Sequence, residues 1–341
     1  MNVVLIPAYK PNTTLIQLVN ELFEHGFKIV VVDDGSGKKY TPVFQAIKDK
    51  VIIITLEENC GKGAALKAGM KYIKRNLPEC EAFITCDADG QHKVADVVRV
   101  GELLNKGNKF VLTIRQRKGK IPFRSKFGND LSKIVYTLLT NRYLSDNQSG
   151  LRGFHIYNLD WMIDVEKNSY DYEMNVLYYA AKMGLKISTL PIEAIYIENN
   201  ASSHFNPIVD TFKIYKSLFS LAKDTMLSFV FIEVLAFIFG MLYGNKYILF
   251  FVPFVGVVSL FIRAILHKLF FLKWCVSARG ALFTVIYTIV SYFVYTPLCM
   301  MINFLFPKLP FFATFNLVYL LCLPLHFFLH KLMFIHSIKK E

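Results

Sequence analysis

Hydrophobic and polar positions alternate in regular blocks along the first third of the chain. Short runs rich in β-branched residues are separated by longer stretches in which apolar positions recur at helical spacing. The β-rich runs are Val3–Ile6, Lys28–Val32, Val51–Thr55, Ala82–Cys86 and Phe110–Ile114, and the clearest helical stretches are Thr14–His25 and Lys62–Arg75. This βαβ rhythm predicts an α/β domain over residues 1–206, built on a parallel sheet with helices on both faces.

The pattern changes to long apolar stretches in the last third of the chain. Four stretches are each close to the roughly 20 residues that a membrane-spanning helix requires. They cover about 225–243, 247–266, 280–303 and 311–334, with Asn245, Pro307 and Pro310 marking short turns. The sequence therefore predicts an all-α four-helix transmembrane domain over residues 225–336.

Composition and charge agree with a soluble domain followed by a membrane domain. Hydrophobic residues make up 54% of the chain, which is high for an ordinary soluble enzyme, and residues 224–341 hold nine Lys/Arg but only three Asp/Glu. Ten basic residues flank one side of the predicted spans and two flank the other, which places both termini and the 267–279 loop in the cytosol. The positive balance then indicates loops that face anionic lipid, and no nucleic-acid partner is expected.

The six cysteines show no paired spacing, and the chain starts with a strand-like run that has no basic leader segment. We therefore expect a reducing compartment and no cleaved signal peptide.

Two features near the membrane have open interpretations. Residues 207–224 carry an apolar face flanked by lysines, which fits either an interfacial juxtamembrane helix or a helix packed on the soluble domain. Glu233 falls inside the first predicted span and is expected to face the helical bundle, where it would support a polar lipid-headgroup site. Arg263 or His267 could pair with Glu233, although Arg263 could instead extend towards the lipid headgroups.

Polar clusters follow four of the predicted strands, at the edge of the sheet where α/β proteins bind ligands. The clusters are Pro7–Pro11, Asp33–Gly37, Asn59–Gly63 and Asp87–His92. The second cluster could bind a base or ribose through Asp33 or Asp34, or could simply form a turn that caps the next helix. The third could hold an anion with backbone amides and Lys62, or could be a plain helix start, and it lacks the spacing of a Walker A loop.

Asp87, Asp89 and Gln91 alternate after a buried run, so their side chains can point to the same side of an extended segment. Carboxylate and carboxamide oxygens are the hard donors that suit Mg²⁺ or Mn²⁺, with substrate phosphates completing the coordination shell. An acidic loop in which Asp89 caps a helix is the competing interpretation.

Together the clusters resemble glycosyltransferase family 2, with its A-type nucleotide-sugar fold, over about residues 1–223. The stretches that carry the resemblance are I-P-A-Y-K-P, V-V-V-D-D-G-S-G, N-C-G-K-G-A-A-L-K-A-G and D-A-D-G-Q-H. Two further features are similar to the polyprenyl-phosphate branch, of the dolichol-phosphate mannose synthase type. One is D-N-Q-S-G-L-R-G-F from Asp146, and the other is Tyr172-Glu173 at a helix start, followed by Pro191-Ile192. The four predicted spans resemble the GtrA-like family, which is implicated in handling polyprenyl-linked sugars.

The resemblance implies a role for each matching position. Asp87, Asp89 and Gln91 would bind the catalytic metal that bridges the donor diphosphate. The nucleotide sugar would lie against Pro7, Ala8, Tyr9, Asp33, Asp34 and Lys62. The acceptor phosphate would meet Arg115 or Arg117 with Arg124, in the neighbourhood of Ser149 and Arg152.

The implied reaction is a metal-dependent, inverting transfer of a hexose from a nucleotide-diphosphate sugar to a polyprenyl phosphate, such as undecaprenyl phosphate. An acceptor phosphate is already anionic at neutral pH and needs no general base, whereas a sugar hydroxyl would need one. The sequence shows neither a clear additional carboxylate base motif nor the Q-x-x-R-W of processive synthases. The alternatives are transfer to a glycan or glycolipid hydroxyl, and a lipid-linked-sugar flippase with a scaffold transferase domain.

The expected setting is the cytosolic face of a bacterial inner membrane, with the product used to modify cell-envelope glycans. The expected partners are the donor, the acceptor and the lipid bilayer, and a homo-oligomer is compatible with the sequence.

Overall fold

The structure is a computed structural model. It describes residues 1–116, 123–140, 142–194, 209–221 and 293–318, together with a few shorter pieces between residues 230 and 322. The chain divides into two compact units, which are described separately. The first comprises Met1–Val135, Leu144–Ala181 and Leu185–Leu218, and the second comprises Tyr136–Tyr143, Lys182–Gly184 and Phe219–Glu341.

A seven-stranded sheet forms the centre of the first unit, in the order β3-β2-β1-β4-β6-β5-β7. The strands are β1 (Asn2–Ala8), β2 (Lys28–Asp33), β3 (Ile52–Thr55), β4 (Ala82–Thr85), β5 (Phe110–Gln116), β6 (Arg152–His155) and β7 (Ser188–Glu193). The first five strands occupy the five predicted runs to within two residues at each end.

The prediction of a parallel sheet is wrong in one respect, because β6 runs antiparallel to both of its neighbours, β4 and β5. The remaining pairs are parallel, so the sheet is mixed. β6 has only four residues, Arg-Gly-Phe-His, and carries no alternating apolar pattern that could predict it. β7 contains Pro191 and lies at the edge of the sheet, where a missing backbone donor is tolerated.

Helices cover both faces of this sheet, as predicted. They are α1 (Thr14–Glu24), α2 (Thr41–Gln45), α3 (Lys62–Asn76), α4 (Val94–Asn105), α5 (Phe123–Thr140), α6 (Leu159–Asp164), α7 (Asp171–Lys182) and α8 (Val209–Leu221). On one face Gly69 of α3 lies directly against Leu5, and on the other face Gly101 of α4 lies beside Ile84. Because successive strand side chains point to opposite faces, the uninterrupted apolar strands supply both layers of the core.

α8 packs on α7 through a polar contact in the core. The side-chain Nδ2 of Asn175 donates to the Ser217 hydroxyl at 3.0 Å, and that hydroxyl lies 3.2 Å from the side-chain Oδ1 of Asn175. Leu218 is fully buried, whereas Phe212 is 68% exposed. The helix is therefore docked on the first unit along one side, and an interfacial role for its outer side remains a prediction.

Within the described part of Phe219–Glu341, the two longest helical stretches are 293–305 and 311–318. They share a buried apolar cluster that comprises Tyr295, Cys299, Ile302, Phe311, Phe315, Val318 and Cys322. None of the helices within the described ranges has both the length and the apolar character needed to cross a bilayer. Most of the four predicted spans, together with Glu233, Arg263 and His267, lies outside the described residues, so the transmembrane domain stays a prediction.

Candidate active site

The loops after β1 and β2 are joined by hydrogen bonds at the carboxyl ends of these strands. The amide of Asp34 donates to the carbonyl of Ala8 at 2.8 Å, and the amide of Lys10 donates to the Ser36 hydroxyl at 2.8 Å. The Asp33 carboxylate accepts from the amide of Ser36 at 2.9 Å and so closes the turn. Asp33 thus has a local structural role in this turn, although it caps no helix.

Asp34 connects the loop after β2 to the start of α3. Its two carboxylate oxygens accept from the amides of Cys60 and Gly61, at 2.8 and 2.9 Å. Burial raises the pKa of Asp34, and these two amides oppose that rise. The anion held by the amides before α3 is therefore Asp34 itself. Gly35 makes this junction possible, because a side chain there would overlap the backbone of Glu58.

Lys62, the first residue of α3, lies between two carboxylates. Its Nζ is 2.7 Å from Oδ1 of Asp87 and 2.7 Å from Oε2 of Glu173. Burial alone would lower the pKa of Lys62, but the two carboxylates outweigh burial and raise it above its ordinary value. The ammonium group is therefore a fixed positive charge next to the predicted metal ligand Asp87.

Asp87 is held on three sides. Besides Lys62, it has Nε2 of His92 at 3.6 Å from its Oδ2, and Gly150 lies so close that a methyl group there would overlap the carboxylate. Burial favours the neutral acid, yet Lys62 and His92 hold the pKa of Asp87 well below its usual range. Asp87 is thus a permanently ionised carboxylate whose position is fixed by the loop that precedes β6.

Asp89 has a different environment from Asp87. Its Oδ1 accepts from the amide of Gln91 at 3.0 Å, which closes a tight turn, and α4 begins further along at Val94. Asp89 therefore does not cap α4. Burial and the negative charge of Asp87 both raise the pKa of Asp89.

The acidic turn of Asp87, Asp89 and Gln91 fits a divalent cation whose coordination shell is completed by a diphosphate. Asp87 and Asp89 bring two carboxylates into one short segment, and a divalent cation would neutralise the repulsion between them. Within the ranges that the structure describes, no three His, Cys, Asp or Glu side chains form a complete metal site. Two carboxylates and the side-chain carboxamide oxygen of Gln91 would leave several positions for phosphate oxygens, as is usual for Mg²⁺ and Mn²⁺ in nucleotide sites.

Arg115, a predicted ligand of the acceptor phosphate, is held by Asp146 at the end of β5. Its Nε and Nη2 donate to the two carboxylate oxygens at 2.7 and 3.0 Å, and its backbone amide donates to Oδ2 at 3.2 Å. Burial would raise the pKa of Asp146, but Arg115 lowers it below its ordinary value. The Arg115 side chain as a whole is 27% exposed.

Ser149 and Arg152, which were also predicted to lie near the acceptor phosphate, are buried. The Ser149 hydroxyl lies 2.5 Å from that of Thr113, and both side chains are at most 1% exposed. Arg152 donates to the backbone carbonyls of Ser149 and Glu173 at 2.8 and 2.7 Å. Both residues hold the loop before β6 in place, and neither presents a donor to a ligand here.

The other predicted residues are only partly covered. Pro7 is half-buried at the end of β1. Tyr9, two residues later, is also half-buried, and the Lys10 ammonium lies 4.9 Å from its ring centre. Arg117 and the side chain of Arg124 lie outside the described residues.

Three residues of this site have no assigned role in the sequence prediction. They are His92, Asp146 and Glu173, each of which contacts a predicted ligand. Asp146 and Glu173 do lie within the two stretches that are similar to the polyprenyl-phosphate branch, and His92 ends the acidic motif. The signal was therefore present in the sequence, but the partners of Asp146 and Glu173 are too far away along the chain for spacing to pair them.

Comparison with known proteins identifies the family. The model of "Glycosyl transferase family 2" matches residues 3–163. An uncharacterized protein of Methanocaldococcus jannaschii is 32% identical over 218 residues, which cover 62% of this chain and 88% of the relative. The chain belongs to glycosyltransferase family 2.

Two named relatives of this family 2 enzyme act on polyprenyl phosphates, according to their names. A UDP-N-acetylglucosamine–dolichyl-phosphate N-acetylglucosaminyltransferase of Methanococcus voltae is 29% identical over 245 residues, which cover 65% of this chain and 96% of the relative. An undecaprenyl-phosphate 4-deoxy-4-formamido-L-arabinose transferase of Klebsiella pneumoniae is 24% identical over 176 residues, which cover 49% of this chain and 52% of the relative. The protein is thus a glycosyltransferase with an A-type α/β domain. The predicted enzyme class and the predicted α/β fold of the first domain are confirmed.

Proposed function

We propose that the protein transfers a hexose-type sugar from a nucleoside-diphosphate donor to a polyprenyl phosphate at the cytosolic face of a membrane. The observation that carries this proposal is the similarity to the Methanococcus voltae enzyme, which extends over almost the whole of that relative. Its name makes UDP-N-acetylglucosamine the first donor to test.

The site geometry supports a phosphate acceptor over a sugar hydroxyl. The carboxylates of Asp34, Asp87, Asp146 and Glu173 each accept from backbone amides or pair with a cation. A hydroxyl acceptor would need one carboxylate poised to take its proton, whereas a phosphate attacks as an anion and needs none. Arg115, which Asp146 orients, places a positive charge at the end of β5, and this charge favours an anionic acceptor.

The donor side of the reaction follows from the acidic turn. When Mg²⁺ or Mn²⁺ is bound, it supplies charge neutralisation for the departing nucleoside diphosphate. Asp87, Asp89 and Gln91 would hold that ion, and the fixed Asp87 carboxylate would set its position. Direct attack by the acceptor phosphate on the anomeric carbon then inverts the configuration at that carbon.

Product analysis with the purified full-length protein tests the proposal. UDP- and GDP-sugars would be supplied with undecaprenyl phosphate or dolichyl phosphate, in Mg²⁺, Mn²⁺ or EDTA. We expect an acid-labile sugar phosphate lipid, its loss in EDTA, and its loss in Asp89→Ala. Transfer to a glycan hydroxyl with no lipid phosphate product would contradict the proposal, as would full cellular function of Asp89→Ala.

A further inference from the structure

The ion pairs that Lys62 makes with Asp87 and Glu173 have no task in the transfer proposed above. The three side chains of this cluster are 16%, 27% and 14% exposed, and both ion-pair distances are 2.7 Å. Removing three charged groups from water is costly unless each one is paired, so this arrangement requires a specific role. The position of the cluster is informative, because the Lys62 ammonium contacts an oxygen of Asp87, the residue that is expected to bind the metal.

The charges of the cluster work against a metal ion that arrives alone. A divalent cation near Asp87 meets the Lys62 ammonium, and two positive charges at a few ångströms repel each other strongly in a partly buried site. A diphosphate adds negative charge that attracts both the cation and the ammonium. The same lysine therefore opposes the metal alone and favours the metal together with the donor.

Glu173 determines how firmly Lys62 is held on Asp87. Because the ammonium is shared between two carboxylates, Glu173 takes part of the attraction that would otherwise fall on Asp87 alone. Glu173 also keeps the ammonium in the site when its contact with Asp87 is broken. Its own position is fixed, since Arg152 donates to its backbone carbonyl at 2.7 Å.

We propose that Lys62 and Glu173 are positioning residues that make metal binding at Asp87 depend on the donor diphosphate. In the free enzyme the ammonium occupies Asp87, and on donor binding it exchanges Asp87 for a phosphate oxygen while Glu173 retains it. This inference rests on the proposed metal-diphosphate site and adds an order of binding to it.

Metal binding without turnover provides the test. Free Mn²⁺ would be measured by electron paramagnetic resonance with the purified full-length protein, in the absence and presence of UDP, and of GDP in a separate series. The ratio of the two Mn²⁺ affinities is the coupling between metal and nucleotide, and it is the same whichever ligand is added first. We expect the wild type to bind Mn²⁺ weakly alone and much more tightly with the nucleotide.

Two variants are expected to change this coupling in opposite directions. Lys62→Met removes the repelling charge, so Mn²⁺ alone should bind about tenfold more tightly and the coupling should fall by a similar factor. Glu173→Gln leaves Lys62 on Asp87 alone, so Mn²⁺ alone should bind several-fold more weakly and the coupling should rise. A merely structural role of the pair would weaken binding in both variants, and that result would overturn the inference.

Lys74→Met is the matched control, because Lys74 lies on the same helix and pairs with Asp160 at 2.6 Å, with side chains 56% and 72% exposed. It should leave both Mn²⁺ affinities unchanged. If Lys62→Met does not fold, Glu173→Gln alone decides: weaker Mn²⁺ binding with larger coupling supports the inference, and any other result overturns it. A wild type that binds neither nucleotide would overturn the proposed function as well.

Discussion

At the scale of single residues, the contact between Gly150 and Asp87 shows how closely the loop before β6 fits the acidic turn. A methyl group at Gly150 would overlap the Asp87 carboxylate, so Gly150→Ala must displace the carboxylate or the loop. We expect a fall in transfer rate of about 100-fold, since small displacements of catalytic groups have effects of this size. Steady-state kinetics of product formation would measure it.

Gly26→Ala is the matched control for that substitution. Gly26 has a positive φ, which Gly150 does not, but a methyl group there would meet open space. It should lower the unfolding midpoint slightly, through backbone strain, and leave the transfer rate unchanged. Equal losses of activity in both variants would show that Gly150 acts through overall stability.

Asp146 offers a prediction for the acceptor side. Asp146→Asn removes the charge that orients Arg115, so kcat/KM for the polyprenyl phosphate should fall about tenfold while the affinity for UDP stays constant. Asp160→Asn, an exposed carboxylate paired with Lys74, is the control and should change neither quantity. An unchanged kcat/KM in Asp146→Asn would show that the orientation of Arg115 by Asp146 does not contribute to acceptor binding.

The same variant gives a pH dependence of stability. Arg115 lowers the pKa of Asp146 below its ordinary value of about 3.9, so the ionised group stabilises the fold above about pH 4. This contribution is lost as the pH falls through the lowered pKa of the folded state. The difference in thermal unfolding midpoint between wild type and Asp146→Asn should therefore be constant near neutral pH and shrink below about pH 4. A difference that grows in acid would contradict this assignment.

Among these residues, the sequence indicates candidate ligands more readily than it indicates their partners. The positions of Asp87, Asp89 and Gln91 follow from a motif, because alternate residues after a strand share one side. The pairing of Lys62 with Glu173, or of Arg115 with Asp146, depends on how distant loops meet, and no local pattern encodes it. The contacts of Arg152 were not predictable for the same reason, since an arginine in a conspicuous motif gives no indication that backbone carbonyls occupy its donors.

At the scale of elements, predictability follows the strength of the local pattern. β1 to β5 are apolar or β-branched runs, and α1 and α3 have a clear apolar stripe, so the sequence locates them to within two residues. β6 is too short to carry a pattern, and its antiparallel direction is decided by its pairing with β4 and β5. This matters for the site, because the position of β6 sets that of the preceding loop, which contains Ser149 and Gly150 and lies against the acidic turn.

The attachment of α8 gives a prediction at this scale. Asn175→Ala removes both hydrogen bonds to Ser217 and leaves a buried hydroxyl unsatisfied, at a cost of about 1–3 kcal/mol. We expect faster amide hydrogen exchange across Val209–Leu221, with the sheet unaffected. Ser220→Ala, on the exposed side of the same helix, should leave the exchange rates unchanged. Unaltered exchange in Asn175→Ala would show that apolar contacts alone hold α8.

At the scale of the whole molecule, the distribution of charge makes a prediction that the contacts of the described residues do not. Ten basic residues flank one side of the four predicted spans and two flank the other, and basic residues remain in the cytosol. This topology would place the donor site in the compartment that contains nucleotide sugars, and it would let a lipid-linked acceptor reach the site from the bilayer. A catalytic domain on the non-cytosolic side of the membrane would have no donor. The proposed function therefore requires the predicted topology.

Cysteine labelling tests this topology. Cys275 lies in the 267–279 loop, which is predicted to be cytosolic, whereas position 245 lies in a turn predicted to face the opposite side. In a Cys60→Ser background, a membrane-impermeant maleimide should label Cys275 in inside-out vesicles and leave it unlabelled in right-side-out vesicles. In a background that also carries Cys275→Ser, Asn245→Cys should show the reverse pattern. Labelling of both positions from one side would contradict the four-span arrangement, because an odd number of crossings must separate the two loops.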